Sequence, residues 1–314
     1  MAWITGAAGL AILLLAGDLL VRGAVGAAPR LGIPAFVVSL TVVALGTSAP
    51  ELLLSIQAVL GGAPGLALGN VVGSNTANVL LVLGVPALIS RLRTKETDCR
   101  KSYVTMLGAS AVFFLLCMIG PLNWVHGVIL LVILVLVVSD QVRHAASHRR
   151  TAGLQPVETS ELQMRLRTIA LFLVLGIAGL PLGAGLLVDA AVEMAGIFGV
   201  SDSAIGLTIV AIGTSLPELG TTTMAAVRRN VDVALGNVIG SNLFNLLLIA
   251  GGAALFGAIP VPREFLVFDL WCMLGASVLL APFVFFRKWE MTRRFGVLFT
   301  VLYVVYVILV VQHG

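Results

Sequence analysis

The amino-acid sequence predicts an all-α integral membrane protein, with ten transmembrane helices in two inverted five-helix repeats. Three observations support this prediction: the composition, the distribution of basic residues, and a duplicated pair of motifs. Of the 314 residues, 59% are hydrophobic and 11% are charged, against roughly 45–50% and about 25% in soluble domains. A chain with a mean hydropathy of +1.08 has too little charge to cover a water-facing surface, so we expect lipid to be its solvent.

Ten apolar stretches are long enough to cross a bilayer, which takes about 20 residues of helix. We number them as spans 1 to 10 and expect them near residues 2–24, 34–60, 66–89, 103–120, 123–142, 166–190, 203–227, 233–257, 265–286 and 295–312. The polar connection at 143–165 is predicted to be a linker between two domains. The first five-helix repeat then covers 1–142 and the second covers 166–314.

The basic residues fall mainly on one side of this arrangement. With ten spans, the loops after spans 1, 3, 5, 7 and 9 hold all of the 19 Lys and Arg residues except Arg263. Because cytoplasmic loops are enriched in Lys and Arg, we expect the 143–165 linker in the cytoplasm. Both termini are then expected outside the plasma (inner) membrane.

An internal repeat relates the two halves of the chain. Residues 44–52 (ALGTSAPEL) recur at 211–219 (AIGTSLPEL), and residues 67–83 recur at 234–250, both at an offset of 167. An odd number of spans separates these motif blocks, 44–83 and 211–250, so we expect the copies to be inverted in the membrane. Inverted repeats with helices interrupted by Gly or Pro are typical of secondary transporters whose site lies at the repeat interface.

Two glutamates lie at equivalent positions in the middle of apolar spans. A carboxylate at the bilayer centre costs roughly 2.5–3.5 kcal/mol on insertion, so the duplication of Glu51 as Glu218 indicates a function. Each follows Gly-Thr-Ser-x-Pro, and the proline cannot donate the helical hydrogen bond of its position. We therefore expect a helix break and loosened carbonyls next to each glutamate.

Two polar stripes with a spacing of four residues accompany the glutamates. They comprise Asn70, Ser74 and Asn78 in the first block and Asn237, Ser241 and Asn245 in the second. The blocks contain no cysteine and no histidine, so the ligands they offer are oxygens. Hard cations such as Ca²⁺ bind such oxygens, and the charge of −2 balances one Ca²⁺ or two monovalent cations.

The duplicated GTSxPE and GNxxGSNxxN motifs resemble the two conserved repeats of the cation/calcium exchanger superfamily, in the compact form of prokaryotic sodium/calcium antiporters. The resemblance implies an antiporter, not an enzyme, that exchanges Na⁺ for Ca²⁺ by alternating access and has no prosthetic group. Spans 2, 3, 7 and 8 would enclose the cations, and spans 1 and 6 would slide across them. The implied ligands are the carboxylates of Glu51 and Glu218, the carbonyls of Thr47, Thr214, Ala44 and Ala211, and the side chains of Ser48, Ser215, Ser74, Ser241, Asn78 and Asn245.

Other functions use the same residues. The alternative is a Ca²⁺/H⁺ antiporter with the same glutamates, and a passive cation channel would need the same ligands. A serine hydrolase is disfavoured because no histidine is placed to activate Ser48 or Ser215. Asn245 stands where many relatives have aspartate, which argues against K⁺ co-transport. We expect Asp18 and Arg22 to form a local ion pair, and we expect ions and lipid, but no nucleic acid, as partners of a monomer.

Overall fold

The computed structural model describes residues 2–92, 94, 97, 99–151, 164–197, 211–286 and 289–313. Over these ranges the chain forms twelve helices and no β-strand. They are α1 Ala2–Leu31, α2 Ala35–Thr47, α3 Ala49–Leu60, α4 Pro64–Ile89, α5 Arg100–Ile119, α6 Trp124–Thr151, α7 Leu166–Ile197, α8 Ala211–Thr214, α9 Leu216–Val227, α10 Val231–Phe256, α11 Phe265–Phe285 and α12 Arg293–His313.

The predicted all-α fold is confirmed. Among the described helices, eight are long and apolar enough to cross a membrane, and α2 with α3 forms a ninth candidate span that is bent by 42°. These nine correspond to the predicted spans 1 to 6 and 8 to 10. The predicted span 7, at 203–227, lies partly outside the described residues, and α8 and α9 cover its second part.

Three helices continue for about two turns beyond their predicted C-terminal ends. α1 continues past residue 24 to Leu31, where Gly32 adopts a φ of 67° and the Ile33 amide donates to the Ala28 carbonyl at 3.1 Å. This is the left-handed glycine stop that ends many helices. α7 continues past residue 190 to Ile197, and α6 runs past residue 142 to Thr151. Residues 143–151 of the predicted linker are therefore helical, because no Gly or Pro interrupts the helix there; residues 152–163 lie outside the described part of the chain.

The buried apolar residues form two large clusters. The larger cluster joins α4, α5, α10, α11 and α12, whereas the second lies between α1, α7 and α2. Glycines allow α1 and α7 to pack closely: a methyl group on Gly183 would lie 2.6 Å from the Leu13 amide nitrogen, and one on Gly176 would lie 2.7 Å from the Leu20 Cβ. The α1–α7 pair thus packs against the other helices through an apolar cluster of its own.

Two backbone bridges connect loops that are distant in the sequence. Leu92, after α4, exchanges two hydrogen bonds of 3.1 Å with Met291, before α12. Leu122, after α5, exchanges hydrogen bonds of 2.9 and 2.8 Å with Ile259, after α10. Each bridge fixes two loops on the same side of the bundle.

Candidate cation-binding site

Both motif blocks contain a helix break next to the glutamate. Ser48 separates α2 from α3 with φ −87° and ψ 4°, and Ser215 separates α8 from α9 with φ −88° and ψ 2°. Pro50 has no amide hydrogen, so the Gly46 carbonyl cannot receive its usual helical hydrogen bond. The predicted breaks are therefore present, and they are alike in both blocks.

Most of the residues predicted as ligands are buried inside the bundle. Glu51 and Glu218 are each 1% exposed. Thr214 is half-buried, and the side chain of Ala211 lies outside the described part of the structure. The other buried members are Ala44, Thr47, Ser48, Ser74, Asn78, Ser215, Ser241 and Asn245.

Hydroxyl groups from both blocks converge on the Glu218 carboxylate. Ser48 Oγ donates to Glu218 Oε1 at 3.1 Å, and Ser241 Oγ donates to the same oxygen at 3.4 Å. Thr47 Oγ1 lies 3.5 Å from Ser241 Oγ. The Ala44 carbonyl oxygen accepts hydrogen bonds from the Ser48 amide at 3.0 Å and from Thr47 Oγ1 at 3.2 Å. The first helix break is thus placed directly against the acidic residue of the second block.

Asn70 joins the first glutamate to the second block. Its Nδ2 donates to the Glu51 carbonyl oxygen at 3.2 Å and to Ser55 Oγ at 2.9 Å. Its Oδ1 accepts a hydrogen bond from Thr214 Oγ1 at 3.4 Å. Asn70 therefore connects α4 to α3 and to Thr214 beside the second helix break, which makes it a positioning residue for the cluster.

Asn237 makes the corresponding contacts 167 positions later. Its Nδ2 donates to the Glu218 carbonyl oxygen at 3.4 Å and to Thr222 Oγ1 at 3.0 Å. Its Oδ1 accepts from Thr47 Oγ1 at 3.4 Å. The two sets of contacts are reciprocal, since each half reaches into the other through the equivalent residue, as a two-fold relation between the halves requires.

Four further polar residues of this region were not singled out from the sequence. Ser55 and Thr222 accept from the two asparagines described above, and Asn75 and Asn242 are also buried. Asn78 Nδ2 donates to Asn242 Oδ1 at 3.0 Å, which joins the two blocks again. The internal repeat could have identified all four, because Ser55 and Thr222, like Asn75 and Asn242, occupy equivalent positions at the offset of 167.

Several buried oxygens of the cluster lack a hydrogen-bond partner. Such an atom costs about 1–3 kcal/mol when it stays unsatisfied, and native proteins contain few of them. In the described residues all six buried side-chain atoms without a partner lie in the motif blocks: Glu51 Oε2, Glu218 Oε2, Ser215 Oγ, Asn78 Oδ1, Asn245 Oδ1 and Asn75 Oδ1. Carboxylate, hydroxyl and amide oxygens that lack donors suit a hard cation, since Ca²⁺ binds about six to eight oxygens.

The other acidic groups that the structure describes form no competing site. Asp18 pairs with Arg22 at 2.9 Å, as predicted, and it also accepts a hydrogen bond from Arg228 of the second half. Among the residues that the structure describes, no three His, Cys, Asp or Glu side chains cluster closely enough to hold a metal ion. A cation bound between the blocks would therefore be held by the two glutamates together with hydroxyl, amide and carbonyl oxygens.

Comparison with known proteins agrees with this chemistry. A model of the sodium/calcium exchanger protein family matches residues 1–142 and 168–312. The chain is 32% identical to the sodium/calcium exchanger MaX1 of Methanosarcina acetivorans, over 96% of this chain and 95% of that protein. It is 34% identical to the inner membrane protein YrbG of Escherichia coli, over 93% of this chain and 91% of that protein. A solved structure of the sodium-calcium exchanger NCX_Mj superposes with a TM-score of 0.82 and 30% identity, covering 97% of each chain. The chain therefore belongs to the sodium/calcium exchanger family, whose members are transporters rather than enzymes.

Proposed function

We propose that the protein is a secondary active antiporter that exchanges Na⁺ for Ca²⁺ by alternating access, with Glu51 and Glu218 as the carboxylates that both ions share. The observation that carries this proposal is the set of buried, unpartnered oxygens around the two glutamates. MaX1 and NCX_Mj, which are named as sodium/calcium exchangers, support the choice of ions.

The charge of the site explains why the ions exchange. Two carboxylates balance either one Ca²⁺ or two Na⁺, so a full load of one ion displaces the other. The Ca²⁺ ligands would be both carboxylates and the carbonyls of Thr47 and Thr214. The Na⁺ ligands would be these groups together with Ser48, Ser215, Ser74, Ser241 and the carbonyls of Ala44 and Ala211. Asn78 and Asn245 would line the cation position at the centre of the site.

The separate packing of α1 and α7 supports alternating access. These two helices share an apolar cluster that is distinct from the larger core around α4 and α10. A pair of helices that packs as a unit can slide over its neighbours without opening the main core. In this proposal the movement exposes the buried glutamates to each side of the membrane in turn.

The loop contacts support a ten-span topology with inverted five-helix repeats at 1–142 and 166–314. Leu92 and Met291 follow predicted spans 3 and 9, whereas Leu122 and Ile259 follow spans 4 and 8, so each bridge joins loops of the same predicted side. Arg30, after span 1, donates to the Met164 carbonyl in the linker at 3.0 Å, again on one predicted side. The basic side, with the 143–165 linker, would face the cytoplasm of the plasma (inner) membrane, and both termini would lie outside.

Calcium uptake into proteoliposomes tests the proposal. An outward Na⁺ gradient should drive Ca²⁺ accumulation, and a proton gradient alone should not. Uptake driven only by protons would identify a Ca²⁺/H⁺ antiporter, and Ca²⁺ entry without any counter-ion would identify a channel.

The glutamates are tested by neutral variants of nearly equal size. Glu51→Gln and Glu218→Gln should each abolish exchange while the protein still inserts, because the loss of a buried charge lowers the insertion cost. Glu264→Gln is the matched control, since this glutamate is exposed at the start of α11. Near-normal exchange in either site variant would rule out the proposed ligands.

A further inference from the structure

A basic cavity lies apart from the cation site, where the ends of α4 and α9 meet the beginnings of α10 and α12. Its volume is about 920 Å³, and Ser90 and Thr292 contribute hydroxyl groups to its wall. Four of its lining residues are arginines, and all four are exposed: Arg91, Arg229, Arg293 and Arg294. The cavity therefore concentrates positive charge with hydroxyl groups, which is the chemistry of an anion site.

Within the described part of the chain, only one of the four cavity arginines has an acidic partner. Arg91 lies 3.6 Å from Glu290. Within the described part of the chain, Arg229, Arg293 and Arg294 make no ion pair with an acidic residue. Three guanidinium groups around one cavity repel one another unless an anion lies between them.

The backbone of Arg229 is strained. Its φ is 60°, and it is the only non-glycine residue with a positive φ among those the structure describes. The equivalent residue of the first repeat is Gly62, with a φ of 80°. Because this conformation suits glycine and is unfavourable for a residue with a Cβ, a glycine would serve the turn better. The chain thus keeps an arginine at the left-handed stop that ends α9, where the first repeat has glycine.

The walls of the cavity are held together by tight contacts. The bridge between Leu92 and Met291, both fully buried, fixes the chain next to Arg91 and Thr292. A methyl group on Gly296 would lie 2.9 Å from the Gly84 carbonyl oxygen, so α12 packs closely on α4. The first amide groups of α12 point out of the helix beginning and add to the positive potential.

We infer that this cavity binds a phosphate group, supplied by the headgroup of an anionic phospholipid or by a free phosphate-bearing solute. Arg229, Arg293 and Arg294 would bind its oxygens, since guanidinium groups match phosphate in bidentate contacts. Basic pockets between membrane helices are suited to anionic headgroups. The ligand would also bring together the turn before α10 and the beginning of α12.

Thermal unfolding of the purified full-length protein in neutral detergent tests this inference independently of transport. The probes are short-chain phosphatidylglycerol, short-chain phosphatidylcholine, and sodium phosphate compared with sodium chloride at equal ionic strength. At about a hundred times its Kd, a ligand should raise the unfolding midpoint by roughly 3 °C or more. A shift with phosphatidylglycerol alone identifies a lipid ligand, and a shift with sodium phosphate identifies a free phosphate ligand.

Variants decide whether the shift arises in this cavity. Arg229→Gly removes a side chain and relieves the strained turn, so it should fold and lose at least half of the shift. Adding Arg293→Gln and Arg294→Gln should abolish the shift. Arg263→Gln, which removes a positive charge before α11, should leave it unchanged. The inference is overturned if the triple variant keeps the full shift, if phosphatidylcholine gives the same shift, or if no probe shifts the parent protein.

Discussion

Replacing Gly17 with alanine tests whether α1 slides over the helices that hold the cation site. Gly17 faces α9, where a methyl group placed on it would lie 2.9 Å from the carbonyl oxygen of Gly220 and 3.0 Å from its carbonyl carbon. Non-bonded heavy atoms prefer separations of about 3.5–4.0 Å, so the two helices must move apart by about 0.5–1 Å to accept the methyl group.

The magnitude follows from this contact. Overpacking of this kind costs about 1–3 kcal/mol, which corresponds to a change of about 5- to 150-fold in an equilibrium between two conformations. Alanine also favours a helix over glycine by about 1 kcal/mol. Gly108→Ala in α5 is the matched control, because the added methyl group meets no atom within 4 Å there. The difference between the two variants isolates the steric cost.

The assay is Na⁺-driven Ca²⁺ uptake per folded molecule, measured together with thermal unfolding. If α1 slides past α9, the clash destabilises one conformation that the cycle requires, and Gly17→Ala should exchange about 5- to 150-fold more slowly than Gly108→Ala. If Gly17→Ala unfolds at a lower temperature but exchanges as fast as Gly108→Ala, α1 does not move against α9 during transport.

Three further predictions concern ion selectivity, sidedness and stability. Exchange should not need K⁺, because Asn245 is neutral and adds no carboxylate for a third cation. Ca²⁺ flux should therefore be the same when choline replaces all K⁺, and a several-fold drop in that flux would contradict the prediction. With the native cysteines replaced, Gly62→Cys should react with an impermeant thiol reagent added outside intact cells. Arg229→Cys should react only after the membrane is opened. Labelling of both variants from one side would mean that the repeats are parallel. Asp18→Asn should lower the unfolding midpoint by about 2–4 °C, because two arginines lose their acidic partner. Asp189→Asn, which changes an exposed acid in α7, is the control. Equal unfolding midpoints for the two variants would show that the ion pairs of Asp18 add no stability.

The amino-acid sequence by itself determined which carbonyls of the motif helices lose a hydrogen bond and which positions correspond. Pro50 and Pro217 lack an amide hydrogen in any surroundings, so the carbonyls of Gly46 and Gly213 lose their helical donor. That this loss becomes a break at Ser48 and Ser215 was decided by the folded structure, since α7 passes Pro181 without a break. The offset of 167 likewise determined which residues of the first block have equivalents in the second. The two sets of asparagine hydrogen bonds join such equivalent residues.

Only the tertiary structure decided which groups meet across the two halves. Ser48 donates to Glu218, whereas the hydroxyl of the equivalent Ser215 has no partner in the described part of the chain. An alignment of the repeats cannot show this difference, because it arises from the way in which the helices pack. Arg228 reaches Asp18 across 210 positions for the same reason. The spacing of four residues predicted the Arg22 pair, since neighbours on one helix follow from its geometry. Contacts between helices depend instead on which faces the folded chain brings together.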